Sequence, residues 1–443
     1  MSTEISELKG VYISTYGCQM NVNDTDRMYS LLEMINYAPV TSPDQADLII
    51  INSCSVREKP VHKVHSEVGR YRGLKNEKPG LKIGVGGCVA QQEKKQLLAD
   101  VPLLDFVFGT DAIDSLPSLV KDLEQGEEKK VDAKFRHSEP YHVQTLVKNP
   151  GVSTFVNITK GCDNFCTFCV VPFTRGRERS RPLKHLIEDI HKLTKRGVKE
   201  VTLLGQNVNS YKSDCGANFG ELMRAVAVDT DIERIRFTTS HPKDFNEELV
   251  GIMQDHRDKI MDYIHLPVQS GSSEVLERMN RGYSREEYIR KVNMILEIMP
   301  GAALSTDIIV GFPGESEPQF EETMSLLEEV PYESIFSFKY SPRPFTKAAR
   351  WEDHVSEQEK SKRLTALQSR HKEIAFELAR KYDGAIVDVL VEEFNEETGK
   401  VSGRSSQNKL THFSGDKSMI GKTYKVKVNE AFPQTLRGVL FEH

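Results

Sequence analysis

The chain has 443 residues, more than one ordinary core organises, which predicts two to three domains. Its 38% hydrophobic and 28% charged residues describe a globular protein, and a net charge of -6 excludes a chain that is basic throughout, so any basic surface is local. Met1–Lys9 carries Glu4 and Glu7 without a long apolar core, which is not a signal peptide, and no apolar run approaches a membrane span, so a cytoplasmic chain without membrane contact is expected.

In the first region, residues 9–125, three apolar runs each end in a cysteine. Val11–Gly17 leads to Cys18, Leu48–Ser53 to Cys54, and Lys82–Gly87 to Cys88. Short, β-rich apolar runs read as buried parallel strands. Helical stretches follow, Asp26–Ile35 after the first run and Gln91–Ala99 after the third, so a small open α/β sheet is predicted. Ligands of such sheets lie beyond the carboxyl ends of the strands. All three cysteines sit there and can reach one point, and Gly17, Gly86 and Gly87 would let the backbone turn beside a bulky group. The bland alternative is three small buried apolar residues. Convergence at one level of the sheet favours a three-thiolate iron–sulfur site.

Glu124–Pro150 is polar and aperiodic, which marks a boundary. The second region, residues 148–379, alternates strands and helices. Its expected strands are Phe155–Thr159, Val201–Leu204, Ile235–Thr238, Tyr263–Leu266, Thr306–Val310 and Ile335–Phe338. Pro182 opens a helix that Gly197 closes, and Tyr288–Ile298 and Glu317–Glu329 are further helices. Six parallel strands suggest a partial α/β barrel, open on one side, with chemistry at the carboxyl ends. The first strand runs into Cys162-Asp163-Asn164-Phe165-Cys166-Thr167-Phe168-Cys169. Three thiolates from one loop can hold three irons of a 4Fe-4S cube and leave the fourth open, whereas electron-transfer clusters take four cysteines. A structural zinc would want a fourth ligand, and the nearest histidine, His185, is remote.

Polar loops follow the later strands, at Gly205–Asn209, Thr239–Pro242, Gln269–Ser272 and Gly311–Glu315. His241 and His265 are expected to be structural. Directly after the cysteine loop, Arg175, Arg177, Arg179 and Arg181 fall within seven residues. They could grip phosphates of a large anionic substrate, although a charge run is usually a solvated face.

Ser356–Glu359 has the form of a capping box and starts a long helix that stops near Gly384. The last region, residues 381–443, has strand-like Val387–Val391 and Tyr424–Val428 with Gly399, Gly403, Gly415 and Gly421 at turns, which suggests a small antiparallel barrel of the OB type. Between Gly399 and Gly438 eight Lys or Arg face two acidic residues, a local charge of +6. Arg404 and Lys409 are the RNA-contact candidates here.

The spacing Cys162-x-x-x-Cys166-x-x-Cys169 resembles the signature of the radical S-adenosylmethionine (SAM) enzymes. Thr15-Tyr16-Gly17-Cys18-Gln19-Met20-Asn21 resembles the N-terminal motif of their methylthiotransferase subgroup, and the last region resembles a TRAM RNA-binding domain. The match spans the whole chain, and Cys162–Arg181 is closest to members acting on tRNA. The resemblance implies two 4Fe-4S clusters, one on Cys162, Cys166 and Cys169 and an auxiliary one on Cys18, Cys54 and Cys88. It implies SAM held near Gln206, Asn207, Ser240, Gln269 and Gly311, and tRNA contacts through Arg175, Arg177 and Arg179.

The reaction it implies is radical 2-methylthiolation of an isopentenyl (dimethylallyl) adenosine at position 37, in the tRNA anticodon loop. Two SAM are consumed, and the electron donor is a protein such as flavodoxin or ferredoxin. A monomer is expected. Sister activities on threonylcarbamoyl-adenosine or a ribosomal protein, and a non-catalytic Fe-S RNA-binding or redox-sensing protein, are the alternatives. Two features depart from or lie outside the family pattern. Ser341–Thr346 has Phe345 where the family more often has Gly, and Cys215 is a seventh cysteine, read as structural.

Overall fold

The computed structural model describes residues 8–55, 58–127, 129–136, 141 and 143–441. The N-terminal sheet has six parallel strands in the order Tyr37–Pro39, Lys9–Tyr16, Leu48–Ser53, Lys82–Gly87, Phe106–Phe108, Lys130–Asp132. The three cysteine-terminated runs form its centre. Alternate residues feed opposite faces: Leu48 and Ile50 pack with Val11, Met28 and Phe106, while Ile49 and Ile51 pack with Val64, Val68 and Ile83. Burial on both sides is why these strands read as continuous apolar runs.

Three outer strands of three residues each were not expected, and the sheet continues into the polar stretch Glu124–Pro150, which holds its last strand. The first helix starts earlier than expected, at Gln19–Glu33. The third is broken into Cys88–Glu93 and Lys95–Asp100 at Lys94, whose φ of 52° no α-helix accommodates. Gly86 is not a turn residue. A side chain there would meet the Phe108 ring at 2.4 Å, so the glycine makes room for packing.

The central region holds six parallel strands in two groups of three. Arg234–Phe237, Glu200–Leu204 and Ser153–Asn157 form one sheet. Tyr263–His265, Ala303–Val310 and Tyr332–Lys339 form the other. The groups meet at a parallel bridge between Ile235 and Ile260. One core runs beneath both, including Val156, Leu203, Ile235, Ile264, Leu304 and Tyr332. The helix expected from Pro182 is Leu183–Lys195, with Pro182 as its N-cap.

The long helix, Glu357–Ala379, is capped by Ser356, whose side chain accepts from the Glu359 amide. His371, on its buried face, sits 3.0 Å from the Tyr332 carbonyl through Nε2. Burial lowers its pKa below the ordinary value, so the folded state favours the neutral ring. The stability this contributes is present above the unfolded pKa of 6.5 and is lost as pH falls through the lower folded value. A His371→Gln variant should therefore lose less stability than the parent between neutral and acidic pH in denaturant titrations. An equal loss would sink the assignment.

The last region is a closed five-stranded barrel, ordered Ile386–Asn395, Lys400–Ser405, Leu410–Ser414, Thr435–Leu440, Thr423–Ala431 and back to the first. The expected all-antiparallel pairing is corrected at one place. Leu410–Ser414 pairs with Thr435–Leu440 in parallel, as closing the ring in this order requires. The barrel docks through its 405–408 turn: the Arg236 guanidinium donates to the carbonyls of Ser405 (2.7 Å) and Ser406 (3.1 Å). No described helix is long and apolar enough to cross a membrane.

Candidate active site

Cys18, Cys54 and Cys88 each follow directly, or after one glycine, on the end of a central strand of the N-terminal sheet. The chain winds outward in opposite senses from either side of the gap between Lys9–Tyr16 and Leu48–Ser53, and ligands of open parallel sheets bind at such a switch point. Gly17 has φ +150°, and a side chain on it would lie 2.5 Å from the Cys54 Cβ. Only a bare backbone lets these two cysteines approach.

The thiols of Cys18 and Cys88 both hydrogen-bond with Cys54. Those bonds, with the charge of Arg175, hold Cys18 and Cys88 down at about 6, while Cys54 is pushed up. Cys18 is exposed and the other two are buried, so the trio opens on one side. Two of the three thiols are thus poised to ionise beside a buried guanidinium, which suits an anionic metal–sulfur group.

The second trio lies on the loop after Ser153–Asn157. The loop is held from three directions. The Cys162 amide donates to Gly176 O (3.2 Å), Thr167 bonds to the carbonyls of Met279 (3.0 Å) and Arg278 (2.8 Å), and the Ala348 amide donates to Thr167 O (2.9 Å). Burial pushes Cys162 up to about 11 and Cys169 up to about 12, and the neighbouring Cys166 adds to both. Bare thiolates are costly there; coordination to a cation would pull the protons off. Arg281, 5% exposed, donates to Cys166 Sγ at 3.3 Å. A guanidinium beside a ligand sulfur tunes such a group's potential. Nothing in the sequence around Asn280-Arg281-Gly282 signals that this cation is buried.

Among the described residues, no three His, Cys, Asp or Glu are arranged about a single-ion position. In a four-iron cube each thiolate takes its own iron, so the thiols need not share one centre. Gly161, which precedes Cys162, has φ +81°, and a Cβ there would lie 2.1 Å from the Arg177 carbonyl. A Gly161→Ala variant should misplace the loop. Iron per chain should then fall from about eight toward about four, because the other trio still fills; a value near eight would refute the steric role.

Orphaned polar atoms ring the carboxyl ends of the neighbouring strands. Gln206 Nε2, Asn209 Nδ2 and Oδ1, Ser240 Oγ and His241 Nε2 are buried without partners. Unmatched buried groups in a functional cleft point to a missing ligand. His241 is thus not the satisfied histidine expected from sequence. Burial, then the charges of Arg281 and Lys243, lowers its pKa to about 2, so the ring is neutral with one nitrogen unused.

His265 does fit the structural expectation, with Nδ1 2.9 Å from Ser305 Oγ. Gln206 also accepts from the Gly161 amide through Oε1, tying the cleft to the cysteine loop. Asn207 is committed to protein: it donates to Asp244 (2.7 Å) and accepts from the His241 amide (3.1 Å). Thr239 and Gln269 hold φ of 69° and 80°, strained values typical of functional loops. Gly311, at φ 70°, lies against Lys360 of the long helix, and its amide donates to Glu315.

The arginine run is corrected. Arg175 is 3% exposed and pairs with Asp24 at 2.8 Å. Arg179 pairs with Asp111 at 2.8 Å, and Arg181, 1% exposed, with Asp189 at 2.6 Å. Arg175 and Arg179 thus bind the cysteine loop to the N-terminal sheet rather than face a substrate. Arg177 alone is exposed, paired with Asp163 at 2.7 Å. Lys409 is corrected as well: it is buried, 2.7 Å from Glu333 and 2.6 Å from the Pro433 carbonyl, where the barrel meets the central region. Arg404 is half-buried beside Asn408. Cys215 is exposed, its sulfur 3.0 Å from Ser213 Oγ.

Three family models match in succession: the uncharacterized protein family UPF0004 over residues 10–109, the radical SAM superfamily over 156–327, and the TRAM domain over 380–441. A tRNA-2-methylthio-N(6)-dimethylallyladenosine synthase of Bdellovibrio bacteriovorus is 61% identical over 97% of this chain and 95% of its own. The chain belongs to the tRNA-2-methylthio-N(6)-dimethylallyladenosine synthase family.

A synthase of the same description from Syntrophus aciditrophicus is 45% identical over 97% of this chain and 94% of its own. Among solved structures, the radical SAM methyltransferase TsrM of Kitasatospora setae superposes with a TM-score of 0.59 at 13% identity, covering 80% of this chain and 78% of its own. That likeness concerns the fold. Family membership makes the chain a radical SAM tRNA methylthiotransferase with a TRAM domain, using SAM and a 4Fe-4S cluster.

Proposed function

We propose that this enzyme places a methylthio group on carbon-2 of N(6)-dimethylallyladenosine at position 37 of the tRNA anticodon loop, with Cys162, Cys166 and Cys169 holding one 4Fe-4S cluster and Cys18, Cys54 and Cys88 an auxiliary one. The observation that carries the reading is the pair of three-thiol sets, each at strand ends and joined through one buried interface. When bound, the clusters supply an electron for SAM cleavage at the first trio and sulfur at the second. The chain's residues do the rest. Arg281 and Arg175 place positive charge beside the two trios. Gln206, Ser240, His241 and Gln269 line the cleft where SAM is read, and Asn207 holds the His241 backbone from behind. Gly311 shapes the loop after the fifth strand.

Three units serve this division: 9–125, 148–379 and 381–443. RNA is gripped by Arg177 and the exposed barrel lysines rather than by the buried arginines. The enzyme works as a cytoplasmic monomer reduced by a flavodoxin- or ferredoxin-type protein.

The test is anaerobic turnover of the reconstituted enzyme with SAM, a reductant and tRNA bearing dimethylallyladenosine. Expected products are 5'-deoxyadenosine, S-adenosylhomocysteine and a methylthio mass gain on that base. Cleavage of SAM without a gain on tRNA, or a gain on a protein instead, would refute the substrate.

A further inference from the structure

Phe345 stands in the left-handed region, φ 70°, where a side chain is disfavoured and glycine is at ease. It is also 54% exposed, so burial does not compensate the strain. Its aromatic neighbour is Phe173, 40% exposed, with ring centroids 5.9 Å apart. Strain retained in an exposed aromatic residue points to a role outside the fold.

The pair also sits at the right place. Phe173 belongs to the short helix Val171–Thr174, which packs on the helix beginning at Cys88, and its Thr174 carbonyl accepts from Thr110 Oγ1 at 2.8 Å. Phe345 lies in the loop after the last central strand, and that loop is tied to the other trio through the Ala348 amide and Thr167 O. The two rings therefore join segments anchored to both sets of thiols. Exposed cations flank them in sequence. Arg177 lies over the exposed Phe165 ring at 5.2 Å, and Lys347 and Arg350 are exposed just beyond Phe345.

We propose that Phe173 and Phe345 form a stacking platform for an unpaired base of the tRNA loop next to the one being modified. Exposed rings interleaved with Arg and Lys are the chemistry of single-stranded nucleic-acid binding, because every base has a face to stack and every nucleotide a phosphate to neutralise. A base turned out of its stack for chemistry leaves neighbours in need of a surface. The proposal rests on tRNA being the substrate.

The test uses the reconstituted full chain, its Phe345→Gly and Phe173→Ala variants, and an anticodon stem–loop RNA carrying dimethylallyladenosine at fixed salt. Each variant should bind about tenfold more weakly, the scale of one lost base stack. Phe345→Gly should keep its iron content and melt no lower than the parent, since glycine relieves the backbone. RNA binding by Phe345→Gly equal to that of a binding-competent parent overturns the platform. So does unchanged RNA binding with slower reduction by flavodoxin, which would assign the rings to an electron donor. A parent that fails to bind the RNA at all overturns the substrate reading and the platform together.

Discussion

Replacing Cys162, Cys166 and Cys169 together with alanine will drop bound iron from about eight to about four per chain after anaerobic reconstitution. SAM cleavage will vanish. Replacing Cys18, Cys54 and Cys88 will also leave about four irons, but SAM will still be cleaved and no methylthio group will form. The asymmetry follows from position. The first trio shares its loop with Gly161, tied to Gln206 of the cleft of orphaned polar atoms, whereas the second lies across the interface on another sheet. Iron and sulfide analysis with deoxyadenosine quantification decides it. A parent binding only about four irons, or about one zinc, would remove the auxiliary cluster from the account.

Loss of the Arg175 charge carries the second large effect. Arg175→Met leaves the Asp24 carboxylate buried without its partner, which costs about 3–5 kcal/mol. The melting midpoint should fall by roughly 3–5 °C in a chain of this length. The double variant Arg175→Met with Asp24→Leu should recover much of the loss, because the cost lies in the stranded charge rather than in the missing bond. Calorimetry of the iron-free chain separates this from effects on the clusters. A fall of under about 1 kcal/mol would place the pair in solvent instead.

Much of this architecture was legible from residue order. Long apolar runs gave the three central strands of the first sheet, since burial on both faces leaves no polar alternation to confuse the signal. Phe106–Phe108 and Lys130–Asp132 were missed because three residues carry no period. The cysteines were legible through their spacing and their place after strands. The arginine run misled because charge alone does not say what it faces. The partner of Arg175 is 151 residues away and that of Lys409 lies on the last central strand, distances no local pattern encodes. His241 misled in the opposite direction: its unused nitrogen is a property of the cleft, not of its neighbours in sequence.

The placement of Lys409 changes what the barrel can do for RNA. Of the eight cations between Gly399 and Gly438, Lys409 is buried and Arg404 half-buried. Lys425 and Arg437 already face Asp388 and Glu430. Lys400, Lys417, Lys422 and Lys427 remain exposed and, among the described residues, outside any salt bridge. If all four contact phosphates, log affinity should fall against log salt with a slope of roughly -3. A tenfold rise in ionic strength should therefore weaken the barrel's grip by about a thousandfold, less than the loss of nearly a millionfold that eight contacts would give.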